Sequence, residues 1–233
     1  MSSRFGRSIE QAVMPEACVF CGSPCPVRAA PICDGCHADL PWIGNACSRC
    51  ATPVATELPD GVCCAACQLD PPPFSNAVAP LEYSFPLDAA IKAMKFRRKL
   101  FYAPAFSYIL THALGKLPAD IDGLLPVPLH WRRHAIRGFN QATEICRPLH
   151  RHSGLPLVKN VMRKRATPYQ SGLPAAHRQR NLQAAFSLCG SVDSRHVLIV
   201  DDVITTGATC RQLARVLLDA GVDRVSVLAI ARA

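Results

Sequence analysis

Residues 197–209 read VLIVDDVITTGAT. Four apolar β-formers deliver two adjacent acids into a Thr/Gly turn, and HVLIV (196–200) has the unbroken apolar character of a strand buried on both faces. After the turn a helical period starts near Thr209 and puts Leu213, Val216, Leu217 and Ala220 on one inward face. It stops at Gly221, a natural residue just past a helix end, and VSVLAI (225–230) follows as a second buried strand. Strand, helix and strand in this order make a βαβ unit, so the chain reads as α/β with a parallel sheet flanked by helices. Ligands of such sheets bind outside the carboxyl ends of the strands, where Asp201 and Asp202 fall.

The turn TTGAT (205–209) leads into a helix N-terminus rich in free backbone N–H groups and hydroxyls. This is an anion-binding cup, and Gly207 lets the backbone approach the anion. A helix end contributes only about 0.3 to 1 kcal/mol toward a bound charge, so several N–H and hydroxyl bonds must share the task. The chain carries neither a Walker lysine nor a G-x-G-x-x-G run, which argues against ATP hydrolysis and dinucleotide binding. A phosphate in the cup repels the acids beside it. A ligand that offers hydroxyls to Asp201 and Asp202 and a phosphate to residues 205–209, such as a ribose 5-phosphate, meets both demands.

Thirteen cysteines are present, and ten lie between Cys18 and Cys67. They include four C-x-x-C pairs: Cys18/Cys21, Cys33/Cys36, Cys47/Cys50 and Cys64/Cys67. Two thiolates on one tight turn both reach a single zinc ion, and two such turns close a four-cysteine shell, so four knuckles predict two structural Zn²⁺ sites. The intervals do not decide whether knuckles pair in sequence or cross over, and Cys63 could replace Cys64. A disulfide framework is the rival reading, but it needs an oxidising compartment, and MSSRFGRSIEQAVMPEACVF lacks the apolar core of a secretory signal. No apolar run reaches the roughly 18 residues that cross a bilayer, so the expectation is a cytoplasmic protein without membrane insertion.

The Pro-rich QLDPPPF (68–74) marks an expected boundary between a Cys-rich zinc domain, 1–70, and an α/β domain, 71–233. Charge divides at the same place. The formal net of +9 splits into −3 over residues 1–70, with four arginines, no lysine and seven acids, and +12 over the rest. Between residues 130 and 180, eleven lysines and arginines accompany one acid, Glu144, a concentration suited to a polyanion. Within the second domain AVAPLEY (77–83) reads as a strand, 87–96 and 104–114 as helices, and GLLPVPL (123–129) as a strand. A basic loop, a helix from Asn140 to His150 and a strand over 155–158 follow, and the stretch 160–183 reads as a long loop. His130 and His134 read as solvated, and Trp131 as a packing residue.

VLIVDDVITTGAT resembles the thirteen-residue 5-phosphoribosyl 1-diphosphate (PRPP) motif of type I phosphoribosyltransferases. The whole chain resembles the ComF family of phosphoribosyltransferase-like competence proteins, with further matches at LPWIGNACSRC (40–50), PPPF (71–74), IKAMKFRRKL (91–100), PVPLHWRRHAIRGFNQA (126–142) and RATPYQSGLPAAHRQRNLQAAF (165–186). The resemblance implies a type I phosphoribosyltransferase fold behind an N-terminal zinc ribbon. It implies that Asp201 and Asp202 hold the ribose hydroxyls and that Thr205, Thr206, Gly207, Ala208 and Thr209 hold the 5-phosphate. Arg132, Arg133 and Arg137 face a pyrophosphate that carries Mg²⁺, while Arg163, Lys164, Arg165, Gln170 and Arg178 belong to a closing loop. The activity implied is transfer of a phosphoribosyl group to an unidentified acceptor, in association with DNA uptake. The competing expectation is a non-catalytic accessory that contacts single-stranded DNA and DNA-uptake proteins and carries a regulatory or vestigial PRPP site; against it, aromatics interleaved with the basic residues are few, namely Trp131, Phe139 and Tyr169.

Overall fold

The computed structural model describes residues 17–25, 31–164 and 185–233. Seven β-strands and seven α-helices lie within them, together with one short 3-10 helix, Leu114–Lys116. Among the described residues, the Cys-rich segment contributes two five-residue helices, α1 (Asp34–Ala38) and α2 (Ala65–Leu69).

The main sheet is wholly parallel. Its order is β1 (Asn76–Val78), β7 (Arg224–Arg232), β6 (His196–Ile204), β3 (Gly123–Pro126), and β2 (Leu81–Glu82) lies beyond β1 along the same edge of β7. The predicted strand 77–83 is thus two short pieces. Leu155 to Val158 adds no strand; the chain there makes one isolated parallel bridge, Leu124 to Leu157.

Alternation along the central strands divides the core in two. Leu198, Val200, Leu228 and Ile230 face one side with α3 (Leu87–Arg97), α4 (Tyr102–Ala113) and α6 (Gln141–Ser153). Val197, Ile199, Val227 and Ala229 face the other with α7 (Ala208–Asp219). Each fully buried Val, Leu or Ile contributes roughly 1.5 to 3 kcal/mol relative to leaving it in water, which makes the β6–β7 ladder the anchor of both layers. Leu87, Ala90, Ile91 and Met94 of α3 and Phe106, Ile109, Leu110 and Ala113 of α4 are all buried, as their spacing predicts. So are Ile145, Cys146 and Leu149 of α6. On α7, Leu213 and Leu217 are buried and Val216 is partly so, whereas Ala220 is exposed: the helix ends at Asp219, and the inward stripe runs back through Ala214 and Cys210 instead.

Two departures bear on the site. The predicted basic loop after β3 contains a helix, α5 (Trp131–Arg137), with no buried residue and hence no apolar period to reveal it. It is set by its ends: the His130 side chain accepts from the backbone N–H of Arg132, and Gly138 closes it at φ 80°. In the stretch read as a long loop, β4 (Val161–Arg163) pairs antiparallel with β5 (Phe186–Leu188).

The Cys-rich segment packs directly on the sheet. Trp42 bridges Leu81, the Ala77 N–H donates to the Ser48 carbonyl, and Cys18, Cys25, Ile32 and Leu40 share a core with α3 and α4. Among the described residues, no helix is long and apolar enough to cross a membrane.

Candidate functional site

The knuckles pair in sequence. Cys18, Cys21, Cys33 and Cys36 form one group and Cys47, Cys50, Cys64 and Cys67 the other, with the four sulfurs of each within 4.8 Å of one another. The two units repeat: the first knuckle of each sits on a small bridge, Ala17 to Pro24 and Ala46 to Pro53, and the third cysteine of each caps a helix, Cys33 for α1 and Cys64 for α2. Sulfur separations of 3.7 Å (Cys21 to Cys33) and 3.6 Å (Cys50 to Cys64) match the edge of a tetrahedron with Zn–S near 2.3 Å, about 3.8 Å. The donor set and its spacing therefore fit zinc, with Cys64 rather than Cys63 as the ligand. All ten cysteines of the segment are free thiols, so no disulfide competes.

The second centre lies where β6 outruns β3. Pairing with β3 ends at Pro126 opposite Val200, while pairing with β7 continues to Ile204 opposite Arg232. Asp201 and Asp202 therefore lie inside strand β6, not after it as the sequence suggests, and open into a cavity of about 750 Å³. Both carboxylates reach this one cavity, so their repulsion is not removed. Asp202, 7% exposed, meets the Lys95 ammonium of α3 at 2.7 Å. Asp201 accepts a 2.8 Å bond from the Asp202 backbone N–H. Burial, and then the charge of Asp202, push its carboxyl up to about 7.

Opposite the acids stand Arg133 and Arg137, one turn apart on α5, and Arg163 at the end of β4. Burial and the charge of Arg133 press the Arg137 and Arg163 guanidinium pKa values below the ordinary range, the mark of cations crowded together. An anion relieves that crowding. Asn140 fixes this wall: its Nδ2 donates to the Val127 carbonyl, and its Oδ1 caps α6 by accepting from the Ala142 N–H.

The turn has the predicted form one residue early: α7 begins at Ala208, with Gly207 at φ 74° preceding it. No atom lies within 4 Å of a Cβ built on Gly207, so glycine is needed there for its left-handed backbone and not for space. Thr205 and Thr206 are exposed, and Thr209 lines the cavity.

The structure thus brings Asp201, Asp202, Thr209, Arg133, Arg137 and Arg163 to one cavity, whereas Thr205, Thr206, Gly207 and Ala208 are not among the residues that line it. Arg132 turns away and stacks on Trp131. Lys164 is exposed, and Arg165, Gln170 and Arg178 lie outside the described residues. Two readings fail: His130 is buried as a helix cap, and Trp131 is 64% exposed. The Phe139 side chain is buried, which removes it as a stacking group, and Tyr169 lies outside the described residues.

Two residues escaped the sequence reading. Lys95 sits in IKAMKFRRKL, where only helical period was legible. Arg232 is the last residue of β7, and its guanidinium donates to the carbonyls of Ile204 and Thr205 and to Thr52 Oγ1. A Ser–His–Asp arrangement at the other end of the sheet is excluded as a site. His196 lies 3.1 Å from Asp120 and 2.8 Å from Ser226 Oγ, but His196 is 2% and Ser226 0% exposed, out of any substrate's reach.

Residues 9–68 match the double zinc ribbon domain. The chain is 36% identical to the DNA utilization protein YhgH of Escherichia coli K12 over 226 residues, covering 94% of this chain and 98% of that one. It is 30% identical to competence protein F of Haemophilus influenzae, covering 93% and 96%. A solved purine phosphoribosyltransferase from Pyrococcus horikoshii aligns with 55% of the chain and 70% of its own, at 19% identity and a TM-score of 0.35. The fold and its two centres define an α/β protein with an N-terminal double zinc ribbon. The chain belongs to the ComF family of competence and DNA utilization proteins.

Native mass spectrometry should find two zinc ions per chain, and Cys47→Ser should reduce the count to one; a single zinc in the unsubstituted protein contradicts the paired groups. Asp201 yields a pH prediction. Its folded pKa is raised, so from about pH 4 upward the folded state holds a proton that the unfolded chain releases, and stability falls as pH rises, with the full cost present above about 7. Asp201→Asn removes that cost. Its melting temperature should exceed that of the unsubstituted protein at pH 8 and converge with it near pH 4; a lower value at pH 8 contradicts the assignment.

Proposed function

We propose that the protein binds PRPP at this cavity and transfers its phosphoribosyl group to an acceptor during DNA uptake or utilization. One observation carries the reading: two desolvated carboxylates and an anion cup are separated by two residues on one strand end, facing crowded arginines across a cavity of about 750 Å³. Asp201 and Asp202 accept hydrogen bonds from the two ribose hydroxyls. The N–H groups and hydroxyls of Thr205, Thr206, Gly207, Ala208 and Thr209 hold the 5-phosphate. Arg133 and Arg137 take the pyrophosphate, Arg132 adds charge at the rim, and Arg163, Lys164 and Arg165 close the site.

The reaction needs no side-chain nucleophile. An acceptor atom bonds to C1 as the C1–O bond to pyrophosphate breaks and its electron pair leaves with the pyrophosphate. Positive charge develops on the sugar and negative charge on the leaving group, so the work of the chain is to place cations at one end and exclude water. The carboxylates in the cavity fit a hard cation such as Mg²⁺, which binds one or two carboxylates together with substrate phosphates and would help neutralise the leaving group. Lys95 has to share Asp202 with the incoming sugar.

Isothermal calorimetry with PRPP and Mg²⁺ is expected to give saturable binding that the Asp201→Asn/Asp202→Asn double variant loses. Equal affinity in that variant would sink the proposal.

A second reading has its own support. Phe96, which lines the cavity, Phe101 and Trp131 are 70%, 50% and 64% exposed, and Arg137, Lys99 and Arg132 lie over their rings at 5.4, 5.8 and 5.3 Å. Exposed rings interleaved with cations suit single-stranded DNA. Each stacked base contributes about 1 to 3 kcal/mol, so Trp131→Ala should weaken oligonucleotide binding at least fivefold. Unchanged affinity rejects this surface.

A further inference from the structure

The loop proposed to hold the 5-phosphate does not stand alone. Two backbone carbonyls at this end of the sheet converge on one guanidinium: Arg232 Nη1 donates to Ile204 and to Thr205, and the oxygen of the neighbouring Ala233 shares the same nitrogen. Its second amino group, Nη2, donates to Thr52 Oγ1 at 3.1 Å. Thr52 belongs to the Cys-rich segment, two residues past the knuckle Cys47–Cys50, and its hydroxyl lies 3.2 Å from Cys50 Sγ. One unbroken run of polar contacts therefore joins a cysteine of the second four-cysteine group to the backbone of the loop.

The run has a direction that zinc imposes. As a metal-free thiol, Cys50 donates to the Thr52 hydroxyl, which then has no fixed orientation. A zinc-bound sulfur would be a thiolate that can only accept, so the Thr52 proton would turn to Cys50 while an oxygen lone pair stays toward Arg232. At the other end, binding the Ile204 and Thr205 carbonyls to a cation points the C=O groups of the loop's entry toward Arg232. It keeps carbonyl oxygens, which would repel an anion, out of the cup; of the N–H groups that follow, that of Ala208 donates to Thr206 Oγ1 at 3.4 Å, a long bond that an anion would replace. Polar partners of metal ligands hold geometry in the same way, and losing one commonly costs ten- to a hundredfold in affinity or activity.

We propose that Thr52 and Arg232 are positioning residues for the anion cup, forming a strut from the second zinc site to residues 204–205 that keeps the loop in its anion-accepting shape. The inference rests on reading that loop as the 5-phosphate site. It also gives the second zinc ribbon a task in ligand binding: zinc at Cys47, Cys50, Cys64 and Cys67 fixes the foot of the strut.

The full-length protein with its zinc counted is titrated with ribose 5-phosphate, which needs the cup, and separately with pyrophosphate, which needs the arginines on the far wall. Thr52→Val is close to isosteric and removes only the hydroxyl. With two zincs retained, it should weaken ribose 5-phosphate about tenfold and leave pyrophosphate unchanged. Thr52→Ser should restore the lost affinity, and Arg232→Lys, which keeps the charge but not the fork, should reproduce the Thr52→Val loss. If both ligands weaken together, or if Thr52→Val binds ribose 5-phosphate as the unsubstituted protein does, the strut is overturned. If the unsubstituted protein binds pyrophosphate but not ribose 5-phosphate, the reading of the loop fails first, and that result is distinct from failure of the strut.

Discussion

The unequal partnership of β6 is the constraint on which the site depends. On one side its ladder ends at Val200, where β3 stops at Pro126; on the other it runs four residues further with β7, to Ile204. That overhang presents Asp201 and Asp202 to a cavity while their backbone stays locked, so two like charges are held where neither can retreat into solvent. The energetic cost of such a pair is visible in Asp201, whose carboxyl is pushed up to about 7 by burial and by its neighbour. A structure that retains this cost invites a functional explanation, and the crowded Arg133, Arg137 and Arg163 on the opposite wall present the complementary one.

The Cys-rich segment is part of the same construction. Its knuckles pack against the sheet edge through Ser48 and Trp42, and its apolar residues enter the core shared with α3 and α4. Through Thr52 it reaches the far end of β7. Its acidic balance opposes the basic character of the remainder, which leaves the positive field concentrated at α5 and the end of α3, where the cavity opens.

Legibility in the sequence followed how much of each feature is carried by apolar period or by special residue types. The helices α3, α4 and α6 were readable because Leu87, Ile91, Met94, Phe106, Leu110, Ile145 and Leu149 recur at helical spacing, and the knuckles because thiolates at that spacing have few other uses. Helix α5 was not, since nothing in Trp131–Arg137 is buried and its start is marked by a histidine cap that composition does not distinguish from a solvated ring. The end of β6 was misplaced because acids are read as strand breakers, whereas pairing with Ala229 to Arg232 carries them within the ladder. Pairing of the knuckles, the Lys95–Asp202 contact and the Arg232 strut join residues far apart in the chain, and no local pattern announces them.

The central claim is that one strand end grips a sugar while the turn beyond it grips the phosphate of the same molecule. Backbone amide resonances of isotopically labelled protein report on this directly during a titration with ribose 5-phosphate, with inorganic phosphate and ribose as separate controls. The account predicts that ribose 5-phosphate shifts the amides of Thr206 to Thr209 together with those of Asp201 and Asp202, and that phosphate alone shifts only the turn. Shifts confined to the arginines of α5, with the turn unmoved, would contradict it.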